Sequence, residues 1–227
     1  MNPAEAMPHP AITVRPFAPA RYVETLEAMR QFTQSREPGA PDQLWMVEHE
    51  PVYTLGLAGR REHLLDPGDV AIVHTERGGQ VTYHGPGQVV AYPLMDLRRL
   101  RIGVKELVYR YEQALIQTLA GLGIDGRRLA GAPGIYVPLP GGAGAFAGVA
   151  KIAALGVRIM RGCSFHGLAL NVRVDLGAFE RINPCGYAGL RSVDLACLGV
   201  EASSEEVAKR LSERLVAHLS WPGSARL

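Results

Sequence analysis

The residue best suited to act as a nucleophile is Cys185, which lies in the segment INPCGY at 182–187. The proline before it and the glycine after it predict a turn rather than a packed strand. A turn can present a sulfur atom to a ligand, and the amides that follow can face a developing oxyanion. Cys197 lies among apolar residues and is predicted to be core, while Cys163, which has polar neighbours, is intermediate.

Lys151 is a second candidate for chemistry, because it opens the apolar run KIAALGV at 151–157. A lysine before a strand is ordinarily a solvated residue. A lysine held against the strand would instead lose hydration, its pKa would fall, and it could act as an acid or a base. Small residues at Ala153, Ala154 and Gly156 would leave room for an aliphatic ligand. Both interpretations stay open on this segment alone.

Glycine and polar residues are concentrated at 77–88, in the segment RGGQVTYHGPGQ. Its glycines and proline predict a structured turn whose backbone can approach a ligand closely. A β-hairpin that needs left-handed backbone conformations would carry the same glycines. The Arg, Gln, Thr, Tyr and His side chains add hydrogen-bonding groups that a plain turn does not need. The segment 77–88 alone therefore does not decide between a ligand-binding role and a purely structural role.

Other kinds of site lack their sequence signatures. Cys163 and His166 are close together, but no Cys-x-x-Cys or His-Glu-x-x-His pair accompanies them, so no metal site is predicted. The glycine-rich run before Lys151 lacks the Gly-Lys-Ser/Thr core of a phosphate loop. No Gly-x-Ser-x-Gly elbow occurs either.

Predicted strands and helices must position these segments. Helices are predicted at 22–32, at 104–122 and from about Ser203, where Glu206 gives a capping-box spacing. Strands are predicted at 44–48, 70–75, 88–95, 134–137, 152–159 and 164–172. The elements mix without regular βαβ alternation. The sequence therefore predicts an α/β (α+β mixed) fold with a large mixed β-sheet flanked by helices.

Length and composition favour a single catalytic domain at 20–220, with a loose N-terminal leader at 1–19 and a C-terminal tail at 221–227. The chain has 227 residues, 47% of them hydrophobic and 20% charged, as in an ordinary globular domain. The stretch 138–150 is rich in Gly, Ala and Pro and is predicted to be a mobile loop.

Charge, hydropathy and cysteine content exclude several classes of partner. The net charge of +2 is too small to indicate nucleic acid. No apolar run approaches the ~18 residues of a membrane span, and residues 1–20 lack the apolar core of a secretory signal. Three cysteines argue against a disulfide framework, so a cytoplasmic location is expected. Arginine clusters at 60–61, 98–101 and 127–128 are either solvated surface or a landing site for an acidic protein.

The chain resembles the lipoyl(octanoyl) transferase family over 44–198. The resemblance rests on EHEPVYTLG (48–56), RGGQVTYHGPGQ (77–88), KIAALGVRI (151–159), SFHGLALNV (164–172) and NPCG (183–186). It implies the fold of biotin and lipoate protein ligases. It also implies transfer of an octanoyl group from octanoyl-acyl carrier protein to a lysine, in lipoate biosynthesis. The implied acceptors are lipoyl domains of 2-oxoacid dehydrogenase complexes and the glycine cleavage H protein.

The resemblance implies roles for particular residues. Cys185 matches the acyl-thioester nucleophile and Lys151 its activator, because an ammonium beside a thiol favours the thiolate. They are 34 positions apart (185 − 151), so only the fold can join them. The Gly186 amide or His84 would donate to the oxyanion. The implied acyl-binding residues are Arg77, Gly78, Gly79, Gln80, Val81, Thr82, Tyr83, His84, Ala154, Leu155, Gly156, Gly167, Leu168 and Ala169.

Ping-pong kinetics without ATP, metal or other cofactor are expected for such a transfer. Two other functions stay open. A lipoate or biotin protein ligase of the same fold class would adenylate a free acid with ATP and would not require Cys185. A noncatalytic acyl-binding or carrier-binding protein would keep the glycine-rich pocket without a reactive thiol. The cysteine in Asn-Pro-Cys-Gly favours transfer over both.

Overall fold

Two β-sheets form the framework of residues 11–141 and 144–220, the part that this computed structural model describes. The strands are β1 (Thr13–Ala20), β2 (Gln43–His49), β3 (Val52–Leu55), β4 (Ala71–His74), β5 (Val81–His84), β6 (Gln88–Leu94), β7 (Arg127–Leu129), β8 (Ala132–Pro138), β9 (Val149–Met160) and β10 (Cys163–Asn171). The helices are α1 (Tyr22–Gln34), α2 (Leu97–Leu100), α3 (Val104–Ala120), α4 (Gly177–Glu180) and α5 (Ser204–Leu219).

The larger sheet has seven strands in the order β1-β2-β6-β10-β9-β8-β7. β1 and β2 are parallel and the other neighbours are antiparallel, which confirms the predicted large mixed sheet. Side chains alternate between the two faces of a sheet. Along β6, Val89 and Ala91 pack with α3 and α5, whereas Val90 and Tyr92 pack with α1. The sheet therefore has helices on both faces.

The smaller sheet has the order β4-β3-β5 and a core of its own. Tyr53, Tyr83 and Phe179 are central to that core. The loop that precedes β5 is attached to the larger sheet, because the Gly78 amide donates to the Val157 carbonyl at 2.9 Å. This attachment closes one side of the space between the sheets.

Most predicted elements are confirmed. The helices predicted at 22–32, at 104–122 and from Ser203 correspond to α1, α3 and α5. The Ser203 hydroxyl accepts from the Glu206 amide at 3.2 Å, as the capping-box spacing predicts. The predicted strands correspond to β2, β4, β6, β8, β9 and β10. Within the described ranges, no helix is both long and apolar enough to cross a bilayer.

The loose leader predicted at 1–19 needs correction. Thr13–Ala20 forms β1, which pairs in parallel with β2 at the edge of the sheet. Its exposed edge position and its prolines, Pro16 and Pro19, hide the strand from the usual sequence signals. Residues 1–10 and the predicted tail at 221–227 lie outside the described residues.

The stretch 138–150, predicted to be a mobile loop, connects the antiparallel pair β8 and β9. The Leu139 amide donates to the Gly148 carbonyl at 2.9 Å. Phe146 is buried and stacks on Tyr136, with ring centroids 5.9 Å apart. Residues 142–143 lie outside the described residues. The described part is thus the packed end of a hairpin, and its mobility stays a prediction.

Candidate active site

The predicted nucleophile and its predicted activator are in direct contact. Lys151 Nζ lies 3.0 Å from Cys185 Sγ and 3.1 Å from the Pro133 carbonyl oxygen. The ammonium also lies over the Tyr136 ring, 5.0 Å from its centroid. The fold therefore joins two residues that are far apart in the sequence, as the family resemblance requires.

Lys151 is held near the start of β9 from both sides. Its amide donates to the Arg191 carbonyl at 2.8 Å, and its carbonyl accepts from the Val193 amide at 3.0 Å. This short bridge attaches the segment that follows the Cys185 turn to β9. The Lys151 side chain is consequently buried, with the residue only 5% exposed.

The electrostatic state of Lys151 differs from the prediction. Burial lowers its pKa, as expected, but the charge of the Cys185 thiolate and the Tyr136 phenol raise it by more, so the net pKa is raised. The predicted fall in the pKa is therefore wrong. Its neighbours reverse the effect of burial, and Lys151 is an ammonium at neutral pH.

The turn at Pro184–Gly186 presents the sulfur. Cys185 has φ 57° and ψ 16°, in the left-handed region that a non-glycine residue rarely adopts. The turn is anchored by the Asn183 amide, which donates to the His63 carbonyl at 2.8 Å. The Gly186 amide donates to the Asn183 carbonyl at 2.9 Å, so it is not available to an oxyanion in this conformation. The expectation that the Gly186 amide donates to the oxyanion therefore does not fit this conformation.

Beside Cys185, a cavity of about 480 Å³, its open mouth included, lies between the larger sheet, the smaller sheet and α1. Most of the predicted acyl-binding residues contribute to its wall. They are Arg77, Gly79, Gln80, Val81, Thr82, His84, Ala154, Leu155, Gly156, Gly167, Leu168 and Ala169. The resemblance thus points to one contiguous, largely apolar space with a thiol at its boundary.

Two predicted binding residues do not line the cavity. Side chains alternate along β5, so Thr82 and His84 face the cavity while Tyr83 faces away. The Tyr83 ring packs on Tyr53 and Phe179, at centroid distances of 5.4 and 5.6 Å. Gly78 attaches its loop to β9 through its amide and is structural.

Four wall residues escaped the sequence analysis, namely Tyr22, Val90, Tyr92 and His166. Val90 and Tyr92 alternate with the core residues of β6, a signal that could have placed them on the face opposite Val89. Tyr22 comes from α1, and only long-range packing brings it to the cavity. His166 lies within a segment quoted for the resemblance, but no sequence pattern gives the orientation of its ring.

A pair of glycines shapes the wall. Gly156 of β9 and Gly167 of β10 are opposite each other in the antiparallel register. A β-carbon on Gly156 would meet the Gly78 carbonyl oxygen at 2.9 Å, and one on Gly167 would collide with the Ala91 carbonyl oxygen. Neither position has room for a side chain. Glycine at both positions therefore allows the backbone of the 77–80 loop and of β6 to approach this part of the sheet closely.

Arg77 holds the loop at 77–80 in its folded shape. Its guanidinium donates to the Thr54 carbonyl at 2.6 Å and to the Gln80 carbonyl at 2.7 Å. No carboxylate within the described ranges forms an ion pair with it. Burial lowers its pKa, an effect that electrostatic interactions with Tyr22 and Cys185 partly oppose. Arg77 thus adds a buried cationic group to the cavity wall.

Three histidines near the cavity are neutral. Burial lowers the pKa of His84 to about 3, that of His166 to about 3 and that of His49 to about 4. His84 Nδ1 lies 2.7 Å from Gln88 Oε1, and the Gln88 amide group donates to Asn171 Oδ1 at 2.9 Å. The His84 proton is therefore on Nδ1 and points at Gln88. His84 Nε2 carries no proton, so the predicted donation from His84 to an oxyanion does not fit this tautomer.

The remaining cysteines lie apart from the site. Cys163 is buried, and Cys197 is exposed on the short turn Ala196–Leu198, so the prediction that Cys197 is core is wrong. Its neighbour Leu195 is buried in its place. In the part of the chain that the structure describes, no group of three or more His, Cys, Asp or Glu side chains could hold a metal ion.

The chain matches the family described as the lipoyl protein ligase A/B catalytic domain over residues 21–216. It is 58% identical over 211 residues to an octanoyltransferase of Methylibium petroleiphilum, covering 88% of this chain and 94% of that protein. It is 54% identical over 214 residues to an octanoyltransferase of Variovorax paradoxus, with 88% and 94% covered. A bi-partite lipoate protein ligase from Thermoplasma acidophilum superposes with a TM-score of 0.70 at 16% identity, covering 91% of this chain and 84% of that chain. This last likeness concerns the fold alone.

Proposed function

We propose that Cys185 carries the octanoyl group as a thioester between donor and acceptor. The chain belongs to the family of the lipoyl protein ligase A/B catalytic domain and is an octanoyltransferase. The observation that carries the proposal is the 3.0 Å contact between Lys151 Nζ and Cys185 Sγ beside an apolar cavity. Lys151 Nζ is close enough to the sulfur to exchange protons with groups that react there, and the cavity offers the acyl chain a surface out of water.

The first half-reaction forms the acyl-enzyme. The Cys185 thiolate attacks the carbonyl carbon of octanoyl-acyl carrier protein, and the carrier sulfur leaves as a thiolate. Lys151 gives a proton to that leaving thiolate and becomes a neutral amine. One thioester replaces another, so this step is nearly balanced in free energy.

The second half-reaction transfers the acyl group. The acceptor lysine, as a neutral amine, attacks the carbonyl carbon of octanoyl-Cys185 and forms the amide bond. The Cys185 thiolate is expelled, and neutral Lys151 takes the proton that the attacking nitrogen loses. An amide is more stable than a thioester, so this step drives the sequence forward, and the enzyme returns to its starting ion pair.

The oxyanion needs donors other than the two expected from the sequence. The Gln80 side chain packs against the turn, with its Cδ 3.4 Å from where a β-carbon on Gly186 would be. Gln80 Oε1 accepts from the Arg60 amide at 3.0 Å, which leaves the Gln80 amide nitrogen to donate elsewhere. We assign the Gln80 amide group, together with Lys151 Nζ, to the developing oxyanion.

Members of this family act on lipoyl domains. For this chain, the donor is proposed to be octanoyl-acyl carrier protein. The acceptors are proposed to be the lipoyl domains of 2-oxoacid dehydrogenase complexes and the glycine cleavage H protein. The proposed reaction needs neither nucleic acid nor a membrane.

The basic surface that would receive an acidic carrier lies around the mouth of the site. Arg60 contacts Gln80 through its amide, and Arg61 begins the short turn that anchors Asn183. Both side chains are exposed. The cluster at 98–101 is far from the thiol. Arg98 packs on Gly162, just beyond the end of β9. The last residue of β9 is nine positions from Lys151 (160 − 151), about 30 Å at the strand rise. The predicted landing role therefore suits 60–61 better than 98–101.

Intact-mass measurement tests the proposal directly. The protein and a Cys185→Ser variant are mixed with octanoyl-acyl carrier protein, without ATP or acceptor. The expected result is a hydroxylamine-labile octanoyl adduct on the wild type alone, which a lipoyl domain then discharges. An absence of adduct, with incorporation of free octanoate only when ATP is added, would assign the chain to ATP-dependent ligation instead. Binding of the donor without either reaction would leave only an acyl-binding role.

A further inference from the structure

Three aromatic side chains, Tyr136, Phe146 and Tyr187, form a row that leads away from Lys151. The Lys151 ammonium lies over the Tyr136 ring, 5.0 Å from its centroid. Tyr136 stacks on Phe146 with centroids 5.9 Å apart, and Phe146 contacts the Tyr187 ring at 4.8 Å. Tyr136 and Phe146 are buried, whereas Tyr187 is 42% exposed. The aromatic row therefore runs from the buried proton-transfer group to solvent.

The outer end of the aromatic row lines a groove that shares no residue with the cavity beside Cys185. The groove encloses about 1170 Å³, its open side included. Phe146 and Tyr187 supply its aromatic surface, and its other wall residues are glycines, alanines and Leu129. Among the described residues, no charged side chain lines it. The groove thus offers apolar walls and aromatic faces.

The Cys185 turn adjoins both spaces. Cys185 lines the cavity, and it also packs against a cluster that includes the groove residues Ala132 and Phe146. Gly186, the next residue along the chain, lines the groove. Consecutive Cα atoms are ~3.8 Å apart, so the groove begins within one residue of the thiol. That distance is inside the reach of the four-carbon stem of a lysine.

The nucleophile that attacks octanoyl-Cys185 must meet two conditions. It must approach from outside the cavity, because the octanoyl chain occupies that space. It must also come close to Lys151, which takes its proton. A lysine side chain suits the groove in both of its parts, since aromatic faces attract an ammonium and apolar walls cover an aliphatic stem. The aromatic row already holds one ammonium in this way, that of Lys151 over Tyr136.

We propose that the groove at Phe146 and Tyr187 is the entry site for the side chain of the acceptor lysine. This inference rests on the proposed function, since it requires an acyl group on Cys185. The aromatic faces attract the ammonium at the mouth, and the apolar walls hold the stem while the nitrogen reaches the thioester. A thioester donor has no cation at its reacting end, so the aromatic faces offer it no such attraction.

Three variants change the groove and leave Cys185 and Lys151 in place. Tyr187→Ala removes the exposed ring, and Tyr187→Phe keeps a ring there. Ala188→Leu narrows the groove at an exposed position. The matched control is Val23→Ala on α1, which also removes exposed apolar surface, at a residue that lines neither the groove nor the cavity.

The experiment measures the two half-reactions separately. Acyl-enzyme is formed with octanoyl-acyl carrier protein, and it is then mixed with a lipoyl domain or with hydroxylamine, a small nucleophile that has no aliphatic stem. In Tyr187→Ala the rate constant for transfer to the lipoyl domain should fall about fivefold, the factor for an exposed cation–π contact. It should also fall in Ala188→Leu, where the stem has less room. Acyl-enzyme formation and discharge by hydroxylamine should stay at wild-type rates in both variants, and Tyr187→Phe and Val23→Ala should match the wild type throughout.

Three results would overturn this inference alone. The first is wild-type transfer to the lipoyl domain in both Tyr187→Ala and Ala188→Leu. The second is an equal fall in the rate of acyl-enzyme formation, which would assign the groove to the donor. The third is an equal fall in discharge by hydroxylamine, which would mean that the variants disturb the thiol itself. A wild-type protein that forms no octanoyl adduct would overturn the proposed function and this inference together.

Discussion

Glu112 and Lys151 hold the two ends of one peptide unit. The Gly134 amide donates to Glu112 Oε1 at 3.2 Å, and the Pro133 carbonyl of the same peptide accepts from Lys151 Nζ at 3.1 Å. Arg128 Nε in turn donates to Glu112 Oε2 at 2.8 Å. A buried carboxylate on α3 therefore orients the carbonyl that helps to hold the ammonium against the thiol.

Glu112 is accordingly a positioning residue. Glu112→Ala should lower kcat about tenfold, because an unsatisfied buried amide costs about 1–3 kcal/mol and frees the peptide to turn. Glu112→Gln keeps an acceptor for the Gly134 amide and should restore most of the activity. The rate of Cys185 alkylation at pH 7 should fall in Glu112→Ala and recover in Glu112→Gln. Equal alkylation rates in all three proteins would contradict the positioning role.

Two substitutions of Lys151 should separate its two tasks. Lys151→Met removes the charge and should slow formation of the acyl-enzyme by about 10²–10⁴-fold, the usual range for a lost proton-transfer group. Lys151→Arg keeps a cation beside Cys185 but cannot give up a proton near neutral pH. It should form some acyl-enzyme and then fail to transfer it. Single-turnover measurement of carrier-thiol release and amide formation distinguishes the steps, and equal losses in both variants would contradict this division.

The Gln80 amide group is assigned to the oxyanion, so Gln80→Leu should lower kcat about 10²–10³-fold with little change in KM. The reason is that the oxyanion exists only during the reaction and not in the bound donor. Steady-state kinetics with octanoyl-acyl carrier protein check this. Thr82→Val, which changes another polar wall residue, serves as the matched control. An effect confined to KM would assign Gln80 to donor binding instead.

Charge reversal tests the proposed carrier surface. Arg61 is exposed and forms no ion pair within the described ranges, whereas Arg98 is paired with Asp96 at 3.0 Å and lies far from the thiol. Arg61→Glu should lower kcat/KM for the acidic donor and reduce its dependence on salt, because attraction between opposite charges assists encounter. Arg98→Glu should leave both unchanged. A small thioester donor without a carrier should not distinguish the two variants.

Stability should fall as the pH falls from 6.5 toward 4. The pKa values of His49, His84 and His166 are lowered by burial from 6.5 to about 4, 3 and 3. The unfolded chain therefore binds protons in this window that the folded protein excludes, which favours unfolding as the pH decreases. The combined loss in the free energy of unfolding by pH 5 should reach several kcal/mol, because each histidine contributes about 1.4 kcal/mol per pH unit below 6.5. Urea unfolding at pH 7, 6 and 5 measures this, and a constant midpoint would contradict it.

Much of the framework could be predicted from the sequence. The helical spacing at 22–32 and the Ser203–Glu206 capping box identify α1 and α5 because both signals are local. β1 could not be predicted, since an exposed edge strand with two prolines lacks an alternating pattern. β1 forms because its backbone pairs with the neighbouring strand β2, a long-range contact that its own sequence does not indicate.

The site could be predicted only in part. Proline and glycine around Cys185 predict the turn correctly, yet the contact with Lys151 depends on the whole β8–β9 arrangement. The predicted direction of the Lys151 pKa shift is wrong because it considers burial alone, whereas Cys185 and Tyr136 raise the pKa by more than burial lowers it. Tyr83 lies outside the cavity because alternation along β5 turns its side chain away. His166 lines the cavity because its positive φ overrides the alternation along β10.

The facing pair of Gly156 and Gly167 limits how this enzyme can change over generations. No residue is smaller than glycine, and a β-carbon at either position would meet a backbone oxygen, that of Gly78 or that of Ala91. Every substitution at the pair must therefore move a neighbouring loop or strand. A lineage that acquires a different substrate can do so more readily by changes elsewhere in the wall, while the glycines remain as they are.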